Sequence, residues 1–317
     1  MTRKYVIGTR GSDLALWQAN LVRTRLESLF TEQEFEIKVI RTTGDQLLDI
    51  ALSKIGDKGL FTRQIETALL NGEIDFAVHS LKDLQTVQPD GLIIGAVCDR
   101  ETANDVFISK THKSIDELPA GARVATGSLR RKSQLLNFRP DLEIVEIRGN
   151  VPTRLKKFQE SDLDGLILAY AGIFRLGLEK SVSQLIPFSV MLPAVGQGAV
   201  AVEIREGDGE VLELAAKLES GPTRVCITAE RSFLRRLEGG CQVPIGAYAT
   251  IDRGNLHLEG MVGSLDGSVI FRESISGRTV EAEELGTRLA ERLIEKGAAE
   301  LLEETRIKIE SSSEATM

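Results

Sequence analysis

Histidine, cysteine and aromatic residues are scarce in this chain. The three histidines, His79, His112 and His257, include no pair with metal-ligand spacing, so no metal site is expected and a zinc hydrolase is disfavoured. Three cysteines, Cys98, Cys226 and Cys241, are too few and too scattered for a disulfide framework or a zinc site. They suit a reducing cytoplasm. With 15 aromatics (one Trp, three Tyr, eleven Phe) and a net charge of −8, neither nucleic acid nor an anionic membrane is an expected partner. There is no apolar run of about eighteen residues, so no membrane-spanning helix is expected. The N-terminus, MTRKYVIGTRGSD, has only Val6 and Ile7 before Gly8, too short an apolar run for a secretory signal. Neither a solenoid-period repeat nor a low-complexity linker is evident.

What remains is an ordinary globular composition, 42% hydrophobic with 29 glycines in 317 residues. At roughly 100–200 residues per domain this makes two or three domains. Strand patterns at 5–8, 35–39, 76–78 and 92–97 alternate with helical spacings: Leu14, Trp17 and Leu21, then Ile65, Ala68 and Leu69, with Gly72 as a stop. The polar stretch 99–104 reads as a crossing segment. The rhythm then repeats with strands at 106–108, 123–125, 142–147 and 166–168. The apolar strand 199–204 follows Pro187 and Pro193, and its pattern leaves open which sheet it joins. Gly221-Pro222 marks a boundary, after which Thr223 is placed to cap a helix carrying Cys226, Ala229, Phe233 and Leu237. Strands at 245–250, 256–262 and 269–276 suggest an antiparallel meander. Leu285, Leu289 and Leu293 mark a last helix, and the polar 310–317 is expected to fray. The fold expected is α/β: two doubly wound mixed-sheet domains, 1–98 plus 196–218 and 105–193, and a small C-terminal α/β domain with an antiparallel sheet, 222–317.

The chemistry gathers where strands run into glycine turns and helices. G8-T-R-G-S-D-L is neither a dinucleotide nor a P-loop fingerprint, but Arg10, Gly11 and Ser12 at a helix N-terminus suit an anion. Equally, Ser12 can simply cap that helix. V124-A-T-G-S-L-R-R-K repeats the design with Thr126, Gly127 and Ser128, followed by Arg130, Arg131 and Lys132. Cations are disfavoured in a first helical turn unless an anion is present. On that reading, replacing either arginine by leucine leaves thermal stability unchanged or higher. A solvated charge run is the alternative. Arg148, Gly149 and Arg154 give the same signal after another strand, and arginine forks match carboxylates and phosphates. His79-Ser80-Leu81-Lys82-Asp83 closes a strand with a cation and an acid, Asp83 being suited to acid, base or cation-stabilising work. His79 reads as a buried hydrogen-bonding group. Lys54, Lys58 and Phe61 fall in a glycine-containing loop. Cys241, in G-G-C-Q-V-P, sits on a constrained turn without a histidine partner, a candidate nucleophile or attachment point. Cys98 and Cys226 read as core.

Seven segments in order, IGTRGSDLALWQA, GDKGLFTRQIE, DFAVHSLKD, TGSLRRKSQL, IRGNVPTRLKK, LPAVGQGAVAVE and FLRRLEGGCQVPIGAYA, resemble the porphobilinogen deaminase (hydroxymethylbilane synthase) family over nearly the full length. The resemblance implies two domains like type II solute-binding proteins, a double crossover and a third domain carrying the cysteine. It implies a cytoplasmic enzyme of tetrapyrrole biosynthesis, here expected to be a monomer. Such an enzyme joins four porphobilinogens head to tail with loss of ammonia, primed by a dipyrromethane cofactor bound as a thioether. By motif, Cys241 is the attachment point and Asp83 the principal catalytic carboxylate. Lys82, Asp83, Thr126, Ser128, Arg130, Arg131, Arg148 and Gly149 match cofactor-holding positions. Arg10, Ser12, Arg148, Arg154 and Gln197 match substrate-holding ones. Lys54, Lys58 and Phe61 match the mobile loop.

Four departures from the family pattern stand out. Leu84-Gln85 replaces Val-Pro, and R100-E-T-A-N-D-V-F lacks the Asp-Pro-Arg-Asp run but keeps Asp105. Gly127 replaces a serine, and Phe174 a lysine. A non-enzymatic anion binder on the solute-binding fold is the competing reading. It explains the arginines but not Cys241, Asp83 or the third domain.

Overall fold

The computed structural model describes residues 3–46, 59, 61–237 and 243–314. They form two compact units, one drawn from 3–46, 59, 61–101 and 198–224, the other from 102–197, 225–237 and 243–314. The first leg of the chain lays down β1 (Lys4–Thr9), α1 (Asp13–Leu29), β2 (Glu34–Val39), the short α2 (Thr43–Gln46), α3 (Arg63–Leu70), β3 (Phe76–Ser80) and β4 (Leu92–Val97). It then crosses to the second unit and forms β5 (Asp105–Ile108), β6 (Arg123–Ala125), α4 (Leu129–Phe138), β7 (Glu143–Val145), α5 (Val151–Gln159), β8 (Gly165–Ala169), α6 (Tyr170–Arg175) and β9 (Gln184–Leu185). It returns as β10 (Val200–Arg205) and α7 (Gly209–Ala216). It leaves again through α8 (Gly221–Arg236) to β11 (Ile245–Asp252), β12 (Asn255–Gly263), β13 (Ile270–Arg278), α9 (Ala282–Glu295) and α10 (Ala298–Glu314).

The expected α/β class with two mixed sheets and a C-terminal antiparallel sheet is what the strands form. The first sheet has the order β2-β1-β3-β10-β4, with β1 parallel to β2 and β3, and β10 antiparallel between β3 and β4. The second runs β7-β6-β8-β5-β9, with β6 parallel to its neighbours and β5 antiparallel to β8 and β9. Each sheet therefore takes its antiparallel strand from a crossing. The strand at 199–204, whose sheet the pattern left open, belongs to the first. The third sheet is the meander β11-β12-β13. Its first turn uses Arg253 (φ 48°) and Gly254 (φ 81°), two consecutive left-handed residues that match a tight hairpin.

Alternation along β3 explains the layering of the first unit. Phe76 and Val78 face one core with Tyr5, Val200, Val202 and Ile204, closed by Ala19, Val22 and Leu26 of α1 and Val211 and Leu214 of α7. Ala77 faces the other side, where Ile65, Ala68 and Leu69 of α3 pack with Ile74 and Leu92. Each fully buried aliphatic side chain stabilises by roughly 1.5–3 kcal/mol, so these faces hold helices whose outer surfaces are polar. Cys98 is in the first core and Cys226 in that of the C-terminal sheet, as expected.

Two expectations need correction. The helix at the boundary starts at Gly221 with Pro222 in its first turn, so Thr223 lies inside it and does not cap it. Proline is preorganised for that first turn, which draws the start forward. The C-terminal segment, expected to fray over 310–317, is helical through Glu314, while 315–317 lie outside the described residues. Ala298, Leu302 and Thr305 are buried at helical spacing, and once a turn is packed, extending it over polar residues costs little.

Tyr5 is buried, and its hydroxyl donates to Glu210. Burial, then that bond and the Glu210 charge, push its pKa up to about 12. Raised in the fold, it contributes stability below the unfolded value of about 10 and loses it as pH climbs through that window. Denaturation midpoints should fall between about pH 10 and 12, and Tyr5→Phe should flatten that fall. An unchanged alkaline slope in the variant would place the sensitivity elsewhere.

Candidate active site

In the first unit, parallel pairing of β1 with β3 sets their carboxyl ends side by side. The chain after β1 supplies Arg10, Gly11 and Ser12. The Ser12 hydroxyl accepts from Ala15 N at 3.4 Å, so the capping reading of this serine holds. The chain after β3 tightens into a 3-10 turn, Leu81–Asp83, anchored by the buried Leu81. Leu81 N donates to Ala199 O at 3.0 Å and Leu84 N to Leu81 O at 3.1 Å, so Leu84-Gln85 leaves that turn closed. An open pocket lies over these ends, lined by Arg10, Ser12, Gln18, Phe61, His79, Ser80 and Asp83. The Arg10 guanidinium carbon is 4.2 Å from the centre of the Phe61 ring. Gln18 Nε2 donates to Ser80 Oγ at 2.9 Å. Asp83 is exposed, and Lys82, in the same turn, is half-buried. The structure thus brings Arg10, Ser12, Phe61 and Asp83 to one place.

In the second unit, Ser128 caps α4 by accepting from Arg131 N at 3.5 Å, and Thr126 Oγ1 accepts from Ser128 N at 3.3 Å. Arg130 and Arg131 are each only 5% exposed, so they are no solvated charge run. The anion their position calls for is within the chain. Asp105, fully buried at the start of β5, pairs with Arg130 Nη1 and Arg131 Nη2, each at 2.8 Å. Gln197 Nε2 donates to the same carboxylate at 2.8 Å and to Ala103 O at 2.7 Å. Burial pushes the Asp105 carboxyl up, but the two guanidinium charges and their bonds outweigh it and hold the group well below the usual carboxylate range. The expectation that leucine at 130 or 131 spares stability therefore fails, because each arginine neutralises a buried charge. Two cations against one anion still leave the cluster with a net positive charge.

Arg148 pairs with Glu146 at the end of β7, while Arg154 lies one turn into α5. Gly149 between them has φ 117°, and a Cβ there would come within 2.6 Å of Thr153 Cγ2, so the turn requires glycine. The Nε atoms of Arg131 and Arg148 are buried donors with no acceptor among the described residues. A Cβ at Gly127 would lie 3.0 Å from Ile147 O, a close approach that suits glycine. Phe174 is exposed and stacks on Tyr170, with ring centres 5.9 Å apart. Lys54, Lys58 and Cys241 lie outside the described residues.

Sequence reasoning missed three groups. Asp105 stands out in the sequence only as a retained residue, although a lone acid opening an apolar strand is a signal. Glu230 is fully buried on α8 and accepts from Gly196 N at 2.8 Å and Ala249 N at 2.9 Å. It sits four residues after Cys226, on that helix's apolar face. Arg175, 8% exposed at the end of α6, follows an apolar run in the same way.

The family described as "Porphobilinogen deaminase, dipyromethane cofactor binding domain" matches residues 5–213, and "Porphobilinogen deaminase, C-terminal domain" matches 224–295. A protein named porphobilinogen deaminase from Pelotomaculum thermopropionicum is 54% identical over 306 residues, covering 96% of this chain and 98% of its own. The protein of the same name from Carboxydothermus hydrogenoformans is 52% identical with the same coverage. Among solved structures, a putative methionine-binding lipoprotein from Bacillus subtilis aligns with a TM-score of 0.42 at 14% identity, over 68% of this chain and 90% of its own.

Proposed function

The chain belongs to the porphobilinogen deaminase family, and from that premise we propose that it joins four porphobilinogens head to tail into hydroxymethylbilane, releasing ammonia. In this reading it is a cytoplasmic transferase of tetrapyrrole biosynthesis, acts as a monomer, and carries a dipyrromethane cofactor as a thioether on Cys241. Residues 222–317 serve as the cofactor-attachment domain beside substrate-handling domains 1–98 plus 196–218 and 105–193. The observation that carries the proposal is the sharing of one pocket by Asp83 and Arg10.

The residues present suit the cofactor. A dipyrromethane bears acetate and propionate groups, and the second unit offers a buried cluster of net positive charge with spare guanidinium donors. In that unit Arg130, Arg131, Arg148, Ser128, Thr126 and the backbone at Gly149 would hold those carboxylates; Lys82, in the first unit, matches a cofactor-holding position by motif. When bound, the cofactor supplies the pyrrole ring that is elongated.

Arg10 and Ser12 in the first unit, and Arg148 and Arg154 in the second, are suited to binding the carboxylates of incoming substrate; Gln197, expected with them, is instead buried with its Nε2 given to Asp105 and Ala103 and supports that cluster. As ammonia departs with the C–N bonding pair, the substrate ring is left as a cation. The Asp83 carboxylate stabilises that charge and accepts hydrogen bonds from pyrrole N–H groups. Phe61 lines the pocket; Lys54 and Lys58, which match the family's mobile loop by motif, lie outside the described residues.

Intact mass of the purified protein tests this reading. The mass should exceed that of the sequence by one dipyrromethane, and the excess should sit on the tryptic peptide 237–253, whose single cysteine is Cys241. Unmodified protein that is fully active would sink the cofactor assignment. Unmodified protein that binds porphobilinogen without turnover would favour an anion-binding protein.

A further inference from the structure

The α3 side of the first sheet buries titratable groups that the mechanism above does not use. In the antiparallel pairing of β3 with β10, His79 lies opposite Ala201 and Ala77 opposite Glu203, so His79 and Glu203 project from one face. His79 Nε2 is 3.3 Å from Glu203 Oε2, with the side chains 3% and 0% exposed. Glu66 of α3 is buried with them. Burial, opposed by Thr62, reinforced by Glu203 and opposed again by His79 and Arg63, pushes the Glu66 carboxyl up. Two carboxylates this buried resist ionising together.

Both Glu203 oxygens and His79 Nε2 are buried without a hydrogen-bond partner among the described residues, so their 3.3 Å approach is a close contact that falls short of hydrogen-bond geometry. A buried carboxylate without a donor is costly, and the imidazole N–H is the donor within reach. That selects the tautomer with hydrogen on Nε2 and the lone pair on Nδ1. His79 also lines the pocket that holds Asp83. The ring thus has Nε2 beside a buried carboxylate, in a residue that also borders the pocket.

We propose that His79 is a further proton-transfer residue of this pocket and that Glu203 is its positioning residue. The proposal rests on reading the pocket as the deaminase site. In each coupling the C–N bond breaks, and its pair leaves on ammonia. The α-carbon of the acceptor pyrrole forms the new C–C bond with a ring pair. The C–H bond at that carbon then breaks, its pair returns to the ring, and a proton must go elsewhere. His79 Nδ1 takes that proton and passes it to ammonia or water, while ionised Glu203 stabilises the imidazolium. The charged and titratable groups facing His79 are Glu203 from β10, Glu66 from α3 and, in the pocket, Arg10 and Asp83.

The test uses loaded holoenzyme. An H112Q/H257Q variant leaves His79 as the sole histidine, and its ring ¹⁵N spectrum reads the tautomer without turnover. Hydrogen on Nε2 is expected, and adding E203Q should abolish the preference. H79Q should lower kcat by about 10²-fold with little change in KM and with the cofactor still present by mass. E203Q should move the acid limb of the kcat–pH profile to lower pH, because the imidazolium loses its counter-ion. Hydrogen on Nδ1, or an H79Q enzyme with unchanged kcat and pH profile, overturns the proposal. Should H79Q not fold, the tautomer and E203Q decide. Loss of turnover in the unsubstituted protein would instead refute the deaminase reading.

Discussion

Asp83→Asn is expected to cut turnover by at least ~10²-fold, the scale for removing an electrostatic stabiliser from a transition state. Asparagine keeps the shape of the side chain and removes only its charge. The 3-10 turn that presents residue 83 is held by backbone bonds of Leu81 and Leu84 and by burial of Leu81, none of which involves the carboxylate. Asp83 is exposed, so the free energy of unfolding should change by no more than about 0.5 kcal/mol, as for surface substitutions generally. Substrate carboxylates still meet Arg10 in the same pocket, so KM should change less than kcat. Single-turnover assays with porphobilinogen and a thermal melt check the two halves together. Near-normal turnover would move the cation-stabilising role to another group.

Much of the fold was legible because its signals are local. Period-two alternation marked Phe35 and Ile37 as a strand. The glycine turns at 8–12, 126–128 and 148–150 marked strand-to-helix junctions where α/β sheets bind ligands. The destination of β10 was not legible, since every residue from Val200 to Ile204 is buried and such a strand carries no face pattern. The candidate site divides in the same way. Arg10, Ser12 and Asp83 stand in short motifs, and pairing of β1 with β3 brings them together. Asp105 meets Arg131 across 26 residues of sequence, and Glu203 meets His79 from a strand that the chain forms only after passing through the other unit's residues. Ion pairs of this kind depend on topology, so local charge logic identified the need for an anion at Arg130 and Arg131 without identifying its source.

That internal anion carries the second large expectation. Asp105→Asn should destabilise the second unit by about 3–5 kcal/mol, the range for removing one partner of a buried ion pair. It leaves Arg130 and Arg131 buried with no counter-charge at 2.8 Å. Arg131→Leu should cost less, about 1.5–3 kcal/mol, because Asp105 keeps Arg130 and Gln197 while Ile167 O loses a donor. Combining the two changes should recover part of the Asp105→Asn loss, since only one cation then remains. A double-mutant cycle in denaturant isolates that coupling. The pH dependence has a definite sign. A carboxyl held below its unfolded value of about 3.9 contributes stability above that pH and loses it only as pH falls through the lower folded value. Asp105→Asn should therefore lower stability evenly from pH 7 to about pH 5 and flatten the drop at stronger acid. If the net positive cluster also receives cofactor carboxylates, Arg131→Leu should emerge unloaded, with Cys241 open to a thiol reagent. Arg131→Lys should recover loading only in part, because an ammonium lacks the planar fork. A stable, fully loaded Arg131→Leu protein would sink both roles at once. The arginine would then be neither the buried partner of Asp105 nor a cofactor clamp.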